Sequence, residues 1–244
     1  MSGHNKWTKI KGIKEKNDQQ NAKMYTKIGR EIAVAVKLGG ADPNSNSQLK
    51  NIIAKAKAIN MPNDNINRSI KKASGELNSV NYEAMTYEGY GVGGSAVIVH
   101  ALTDNKNRTA SDVRHIFDKF GGSLGSNGCV SYLFSKKGVI YVQRGTGISD
   151  DDMMMTALEA GADDIAIEDE VFEIYTSAEA FDTVKENLER VGVAIADSSI
   201  DLIPSNYVEL TPDKEATFQK MIDALEDSDD VQEVYHNVNL SNEE

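Results

Sequence analysis

The chain has 244 residues, 40% of them hydrophobic and 26% charged, and carries a net charge of −12. That length and composition favour two or three compact domains and exclude extended disorder. The single cysteine, Cys129, excludes an internal disulfide, and no run of 18 apolar residues is available for a membrane span.

The opening Met1–Lys16 is polar and basic, without the apolar stretch of a signal peptide, so a cytoplasmic protein with no membrane partner is expected. The charge is sharply polarised. Residues 1–80 hold 15 Lys and Arg against 6 Asp and Glu, a net of +9, whereas residues 81–244 hold 11 against 32, a net of −21. An acidic average therefore conceals a basic N-terminal third, the only part suited to a phosphate-bearing partner.

In chain order, residues 1–19 read as a basic arm. From Asn21 to Leu38 the apolar side chains Tyr25, Ile28, Ile32, Ala35 and Val36 recur at helical spacing, and Gly39-Gly40 stops the pattern. A second helix follows Asp42-Pro43-Asn44-Ser45 with Leu49, Ile52, Ile53, Ala56 and Ile59, and ends before Pro62. Asn63 or Asp64 can cap a third, which carries Ile66, Ile70 and Ala73 inward and stops at Gly75.

Beyond residue 80 strands and helices alternate. Strands are predicted at Ser95–Leu102 and Val130–Phe134, with a helix at Ala110–Phe120 between them. A β-α-β-β-α-β series then runs through Val139–Gln143, Asp151–Ala160, Ile165–Ile167, Val171–Tyr175, Ala178–Val191 and Ile200–Ile203, a ferredoxin-like order. A short strand at Tyr207–Leu210, a helix at Pro212–Leu225 and a strand at Val231–Val238 would complete the earlier sheet. The expected fold class is α+β and multidomain: an N-terminal three-helix domain (1–79) plus two ferredoxin-like α+β domains, one (136–206) inserted in the other (80–135 with 207–244).

Lys23, Lys27, Arg30 and Lys37 share a face of the first helix, Lys50 and Lys57 repeat a seven-residue step on the second, and Arg68, Lys71 and Lys72 cluster on the third. With Lys55 and the arm residues Lys6, Lys9 and Lys11 they form a set suited to phosphate contacts. Solvated surface lysines are the plainer reading of any one stripe; concentration over three helices and an arm favours a nucleic-acid role. Trp7 reads either as a base-stacking side chain or, preferably, as one docked on the chain's own helices.

The remaining motifs carry little chemistry. Gly89-Tyr90-Gly91-Val92-Gly93-Gly94 evokes a phosphate loop but precedes a strand, and Gly121–Gly128 lacks the Gly-Lys-Ser/Thr ending, so it reads as a turn. His4, His100, His115 and His236 have no metal-ligand spacing, and Asp150-Asp151-Asp152 suits a helix N-terminus better than a calcium loop. No cofactor and no catalytic constellation is expected, so the chain is not read as an enzyme.

Met1-Ser2-Gly3-His4-Asn5-Lys6-Trp7-Thr8-Lys9-Ile10-Lys11, Thr26–Ile32, Asn60–Ile66, Tyr87-Glu88-Gly89-Tyr90-Gly91, Thr103–Thr109, Asp112–His115 and the late Ala224–Asp227 and Val234–Asn237 closely resemble the YebC/PmpR family, which includes mitochondrial translational activators. The resemblance covers nearly the whole chain. It departs after Lys11, where the basic run is sparser than in many members, and at Val92, where members commonly have proline. It implies three domains, no catalytic activity, and a DNA-binding transcriptional regulator or a factor acting on RNA at the ribosome. A protein–protein adaptor, resting on acidic residues such as Asp163, Asp164, Glu168, Asp169, Glu170 and Glu173, is a reading of another class.

Overall fold

The computed structural model describes residues 18–75, 80–145 and 147–240. Among them are seven α-helices and eight strands in two four-stranded sheets. By internal contacts they fall into two compact units, one of 18–131 with 210–234 and one of 132–209 with 235–240. The fold is α+β, as the element order predicts.

The first unit opens with α1 (Asp18–Gly39), α2 (Ser47–Ala58) and α3 (Asn63–Ala73). Ile28, Ile32, Ala35 and Val36 of α1 pack on Leu49, Ile52 and Ala56 of α2, with Met61 and Ile66 closing the cluster. Asn46 joins two helix ends. Its buried carboxamide oxygen accepts from Leu49 N at 3.0 Å, capping α2, while its amide donates to Ala35 O (2.9 Å) and Gly40 O (2.8 Å) at the end of α1. Backbone groups orphaned at two termini are thus satisfied by one side chain. A Cβ on Gly39 would come within 2.7 Å of that carboxamide, which is why the chain turns on glycine there.

The same unit contains β1 (Glu83–Tyr90), β2 (Ala96–Thr103), α4 (Lys106–Lys119), the two-residue β3 (Ser123–Leu124), α7 (Pro212–Glu226) and the first four residues of β8 (Val231–His236). The sheet order is β3-β1-β2-β8, with β1 and β2 antiparallel in register from Glu83↔Thr103 to Tyr90↔Ala96. Val113 and Phe117 of α4 and Phe218, Met221, Ile222 and Leu225 of α7 are the buried apolar side chains of those two helices.

The second unit carries β4 (Phe134–Gln143), α5 (Asp150–Ala160), β5 (Asp164–Ile167), β6 (Val171–Ser177), α6 (Phe181–Arg190) and β7 (Ile195–Pro204). The order β5-β6-β4-β7, with both helices on one face, is the split βαβ arrangement of ferredoxin-like folds. Ile140, Val142, Phe172 and Ile174 meet Met153, Ala157, Phe181, Val184 and Leu188 in its core. No described helix is long and apolar enough to cross a membrane.

Four local readings are corrected. β1 escapes the sequence pattern because Tyr87, Glu88 and Gly89 are buried in succession, without alternation and with a carboxylate and a glycine among them. The strand read at Val130–Phe134 is a 3-10 turn over Ser131–Leu133, and the real strand starts at Phe134. Helix α4 begins four residues before the expected start because Asn105 caps it, accepting from Arg108 N at 3.1 Å. The strand expected at Tyr207–Leu210 is reduced to one bridge between Val208 and Val238.

Candidate nucleic-acid interface

Helical periodicity correctly places Lys23, Lys27 and Arg30 together, but they face the chain's own α7–β8 corner. Lys23 pairs with Asp227, and Lys27 Nζ donates to Glu226 O at 2.7 Å. Arg30 donates from Nη1 to Asp230 Oδ1 and to Leu102 O (2.8 Å), with its guanidinium 5.2 Å from the centre of the Tyr82 ring. Lys37 donates to Asn81 Oδ1. On α2, Lys55 pairs with Glu31 at 2.8 Å. In this structure Lys23, Lys27, Arg30 and Lys55, expected from spacing to face phosphate, are instead engaged by oxygens of the protein itself. A carboxylate satisfies a spaced cation row as well as a phosphate does, and spacing alone cannot tell them apart.

Asp230 is the hub of that corner. Its Oδ2 accepts from Arg108 Nη2 (2.9 Å), Thr109 Oγ1 (2.6 Å) and Thr103 Oγ1 (3.3 Å), while Thr103 Oγ1 also accepts from Asn105 N. Burial opposes ionisation of Asp230, but the hydrogen bonds from Thr109, Arg108 and Arg30 outweigh it and hold its pKa down at about 2, from an ordinary 3.8. The segment Thr103–Thr109, singled out in the sequence, thus has an architectural explanation through Thr103, Asn105, Arg108 and Thr109. Sequence reasoning missed Asp230 altogether; the acidic run Glu226 to Asp230 opposite a basic stripe is the signal that was available.

A different set of cations has no such carboxylate partner among the described residues. Lys50 and Lys57 on α2 and Arg68, Lys71 and Lys72 on α3 are all exposed, and among the described residues none pairs with a carboxylate. Arg68, Lys71 and Lys72 stand at i, i+3 and i+4, so they share one face. From Ser47 to Gly75 there are six Lys and Arg and one acidic residue, Asp64. Lys71 and Lys72 in the last turn of α3 also complement its dipole, a role any exposed lysine can serve there. Lys6, Lys9, Lys11 and Trp7 lie outside the described residues.

The glycine-rich segments have packing explanations. Gly89 sits where a Cβ would lie 2.5 Å from Ser123 O and 2.6 Å from Phe117 Cε1. Gly93 and Gly94 turn through left-handed φ values of 70° and 78°, and the amides of Gly91 and Gly94 bond to Ser95 O and Gly91 O. Gly128 N, Val130 N and Ser131 N converge on the buried Glu88 carboxylate at 2.8, 3.0 and 2.8 Å, so the loop's anion is internal. Burial and the Glu88 charge push the Cys129 thiol up, away from thiolate. Among the described residues no group of three or more His, Cys, Asp and Glu is placed to hold a metal ion.

Fold and surface define an α+β protein with ferredoxin-like topology in its second unit and a basic, three-helix N-terminal segment. The chain belongs to the TACO1/YebC family: the model of the TACO1/YebC protein N-terminal domain matches residues 5–76, and that of the TACO1/YebC second and third domain matches residues 82–238. A probable transcriptional regulatory protein of Acetivibrio thermocellus is 57% identical over 238 residues, covering 97% of this chain and 98% of the relative. One of Clostridium botulinum is 55% identical over 237 residues, covering 97% and 96%. The crystal structure of a conserved hypothetical protein from Aquifex aeolicus superposes with a TM-score of 0.82 at 45% identity, covering 94% of each chain.

Proposed function

We propose that this protein is a non-enzymatic, nucleic-acid-binding regulator of gene expression, with duplex DNA as its first target, working in the cytoplasm without a cofactor. The observation that carries the reading is the exposed cation set Lys57, Arg68, Lys71 and Lys72 on α2 and α3, none of it paired with a carboxylate among the described residues, to which Lys50 is added. The names of the Acetivibrio and Clostridium relatives support transcription as the process. Lys6, Lys9 and Lys11 are included in the proposed set on their charge alone. Lys23, Lys27, Arg30 and Lys55 are assigned to holding the first unit together, with contact to phosphate secondary.

Phosphate attraction does not separate DNA from RNA, because both present the same backbone charge. The test is fluorescence anisotropy with promoter duplexes and structured ribosomal RNA fragments, comparing the natural protein with K57E/R68E/K71E/K72E. Loss of duplex binding in that variant, with its circular dichroism unchanged, supports the proposal. Binding that survives the charge reversal overturns the assignment of the surface. Tight binding restricted to the RNA fragments moves the target to the ribosome.

A further inference from the structure

Helix α5 buries one row, Met153, Ala157 and Ala160, against the second sheet. Its other side is only partly polar. Met154, Met155 and Leu158 are 39%, 61% and 52% exposed. Met154 and Leu158 are four apart and Met155 and Leu158 three apart, so the three form one continuous apolar strip on the helix surface. Isolated exposed apolar residues are commonplace, but a contiguous strip on a helix is the form taken by docking surfaces. Two of its three members are methionines, whose unbranched, polarisable side chains repack around different partners.

The rim decides the partner's chemistry. Asp151 and Glu159 stand four residues to either side of Met155 on the same helix, and Asp152, Asp163 and Asp164 are exposed nearby in the chain. Residues 145–184 contain twelve Asp and Glu and no Lys or Arg. Arg144, before the N-terminus of the helix, is held by Asp150, its Nη2 donating to both carboxylate oxygens at 2.7 and 2.9 Å. Such a surface repels phosphate and anionic lipid, so neither a nucleic acid nor a membrane fits it. An apolar strip flanked on its own helix by the carboxylates of Asp151 and Glu159 matches a helix with apolar residues on one face and lysines or arginines beside them.

We propose that the outer face of α5 is a docking site for a cationic amphipathic helix of a partner protein, seated on Met154, Met155 and Leu158 and oriented by Asp151 and Glu159. The site shares no residue with the basic set on α2 and α3, so failure of either assignment leaves the other intact.

The test uses the full-length protein with carbon-13-labelled methionine methyls and an 18-residue peptide probe of leucine and lysine in amphipathic order, against a leucine–glutamate peptide of the same pattern. The expected result is saturable movement of the Met154 and Met155 methyl signals, with those of the fully buried Met153 and Met221 unmoved. Affinity falls at least tenfold in M155S/L158S, and in D151N/E159Q it falls at least threefold and becomes less sensitive to salt. Equal response to the leucine–glutamate peptide, or binding that leaves Met154 and Met155 unmoved or survives M155S/L158S, overturns the proposal. So does concentration-dependent movement of the same signals without peptide, which would make a second copy of this chain the occupant.

Discussion

Arg30 and Asp230 form an ion pair across 200 residues of sequence, with side chains only 13% and 8% exposed. The pair fastens the middle of α1 to the start of β8. Exposed ion pairs contribute between nothing and about 1 kcal/mol, but removing one partner from a shielded pair leaves an uncompensated charge and costs roughly 3–5 kcal/mol. Urea denaturation should show losses of that size for R30A and for D230A. The double variant should lose clearly less than the sum, because the second change removes a charge already stranded by the first. Strict additivity would mean the two residues act independently.

The same carboxylate makes a pH prediction with a definite sign. Asp230 has a pKa of about 2 in the fold against an ordinary 3.8, so its contribution is complete above the higher value and is lost as pH falls through the lower. Between pH 4 and pH 2 the natural protein should lose on the order of 2 kcal/mol that D230N does not lose. Parallel pH dependences of the two proteins over that window would show that Asp230 titrates normally.

These relationships mark where the sequence is transparent and where it is opaque. Gly39-Gly40, Pro62 and Gly75 are local stops, so α1, α2 and α3 are delimited within a few residues by chemistry that acts on neighbours alone. The ferredoxin-like order of the second unit is legible because Val139, Tyr141 and their partners lie on strands bounded by clear turns. β1 is not, since Glu88 is buried for the sake of amides forty residues away. The cation row of α1 is legible as a row, but its partners come from the far end of the chain, and no local pattern names them. Lys57, Arg68, Lys71 and Lys72 belong to the same expected set as Lys23, Lys27 and Arg30; only the packing separates the two groups.

Glu88 supplies the anion that three converging backbone amides require, and Val130, one of the donors, is fully buried. Burial raises the Glu88 pKa, yet those bonds outweigh it and the group is held below the ordinary carboxylate range. E88A leaves the amides without an acceptor, at roughly 1–3 kcal/mol for a buried donor. We expect a stability loss of about 2–4 kcal/mol once partial hydration is allowed for. Hydrogen exchange at Gly128, Val130 and Ser131 should accelerate more than at α7. Unchanged exchange there would refute the role of Glu88 as the loop's internal anion.

Gly89 tests whether the glycine-rich segment is structural. A methyl group there meets the Ser123 carbonyl and the Phe117 ring at 2.5 and 2.6 Å, and the carbonyl belongs to the paired strand β3. G89A should therefore destabilise by about 1–3 kcal/mol, the usual cost of overpacking, and loosen β3. Addition of nucleotide should not move the melting temperature of either form. A nucleotide-dependent rise in the natural protein that G89A abolishes would restore the phosphate-loop reading.

Salt dependence separates the exposed cations from the engaged ones. If Lys57, Arg68, Lys71 and Lys72 each neutralise a phosphate of duplex DNA, the log–log slope of affinity against salt should be about −3 to −4. Each alanine substitution among them should make it shallower by about 0.9, because one fewer counterion is released. K23A removes a cation that already has a carboxylate partner, Asp227, and should leave the slope nearly unchanged. Measured titrations at four or five salt concentrations would decide between the two helical surfaces. A slope that responds to Lys23 and ignores Lys71 would mean that the α7–β8 corner releases α1 when DNA arrives, and that α1 is the binding face after all.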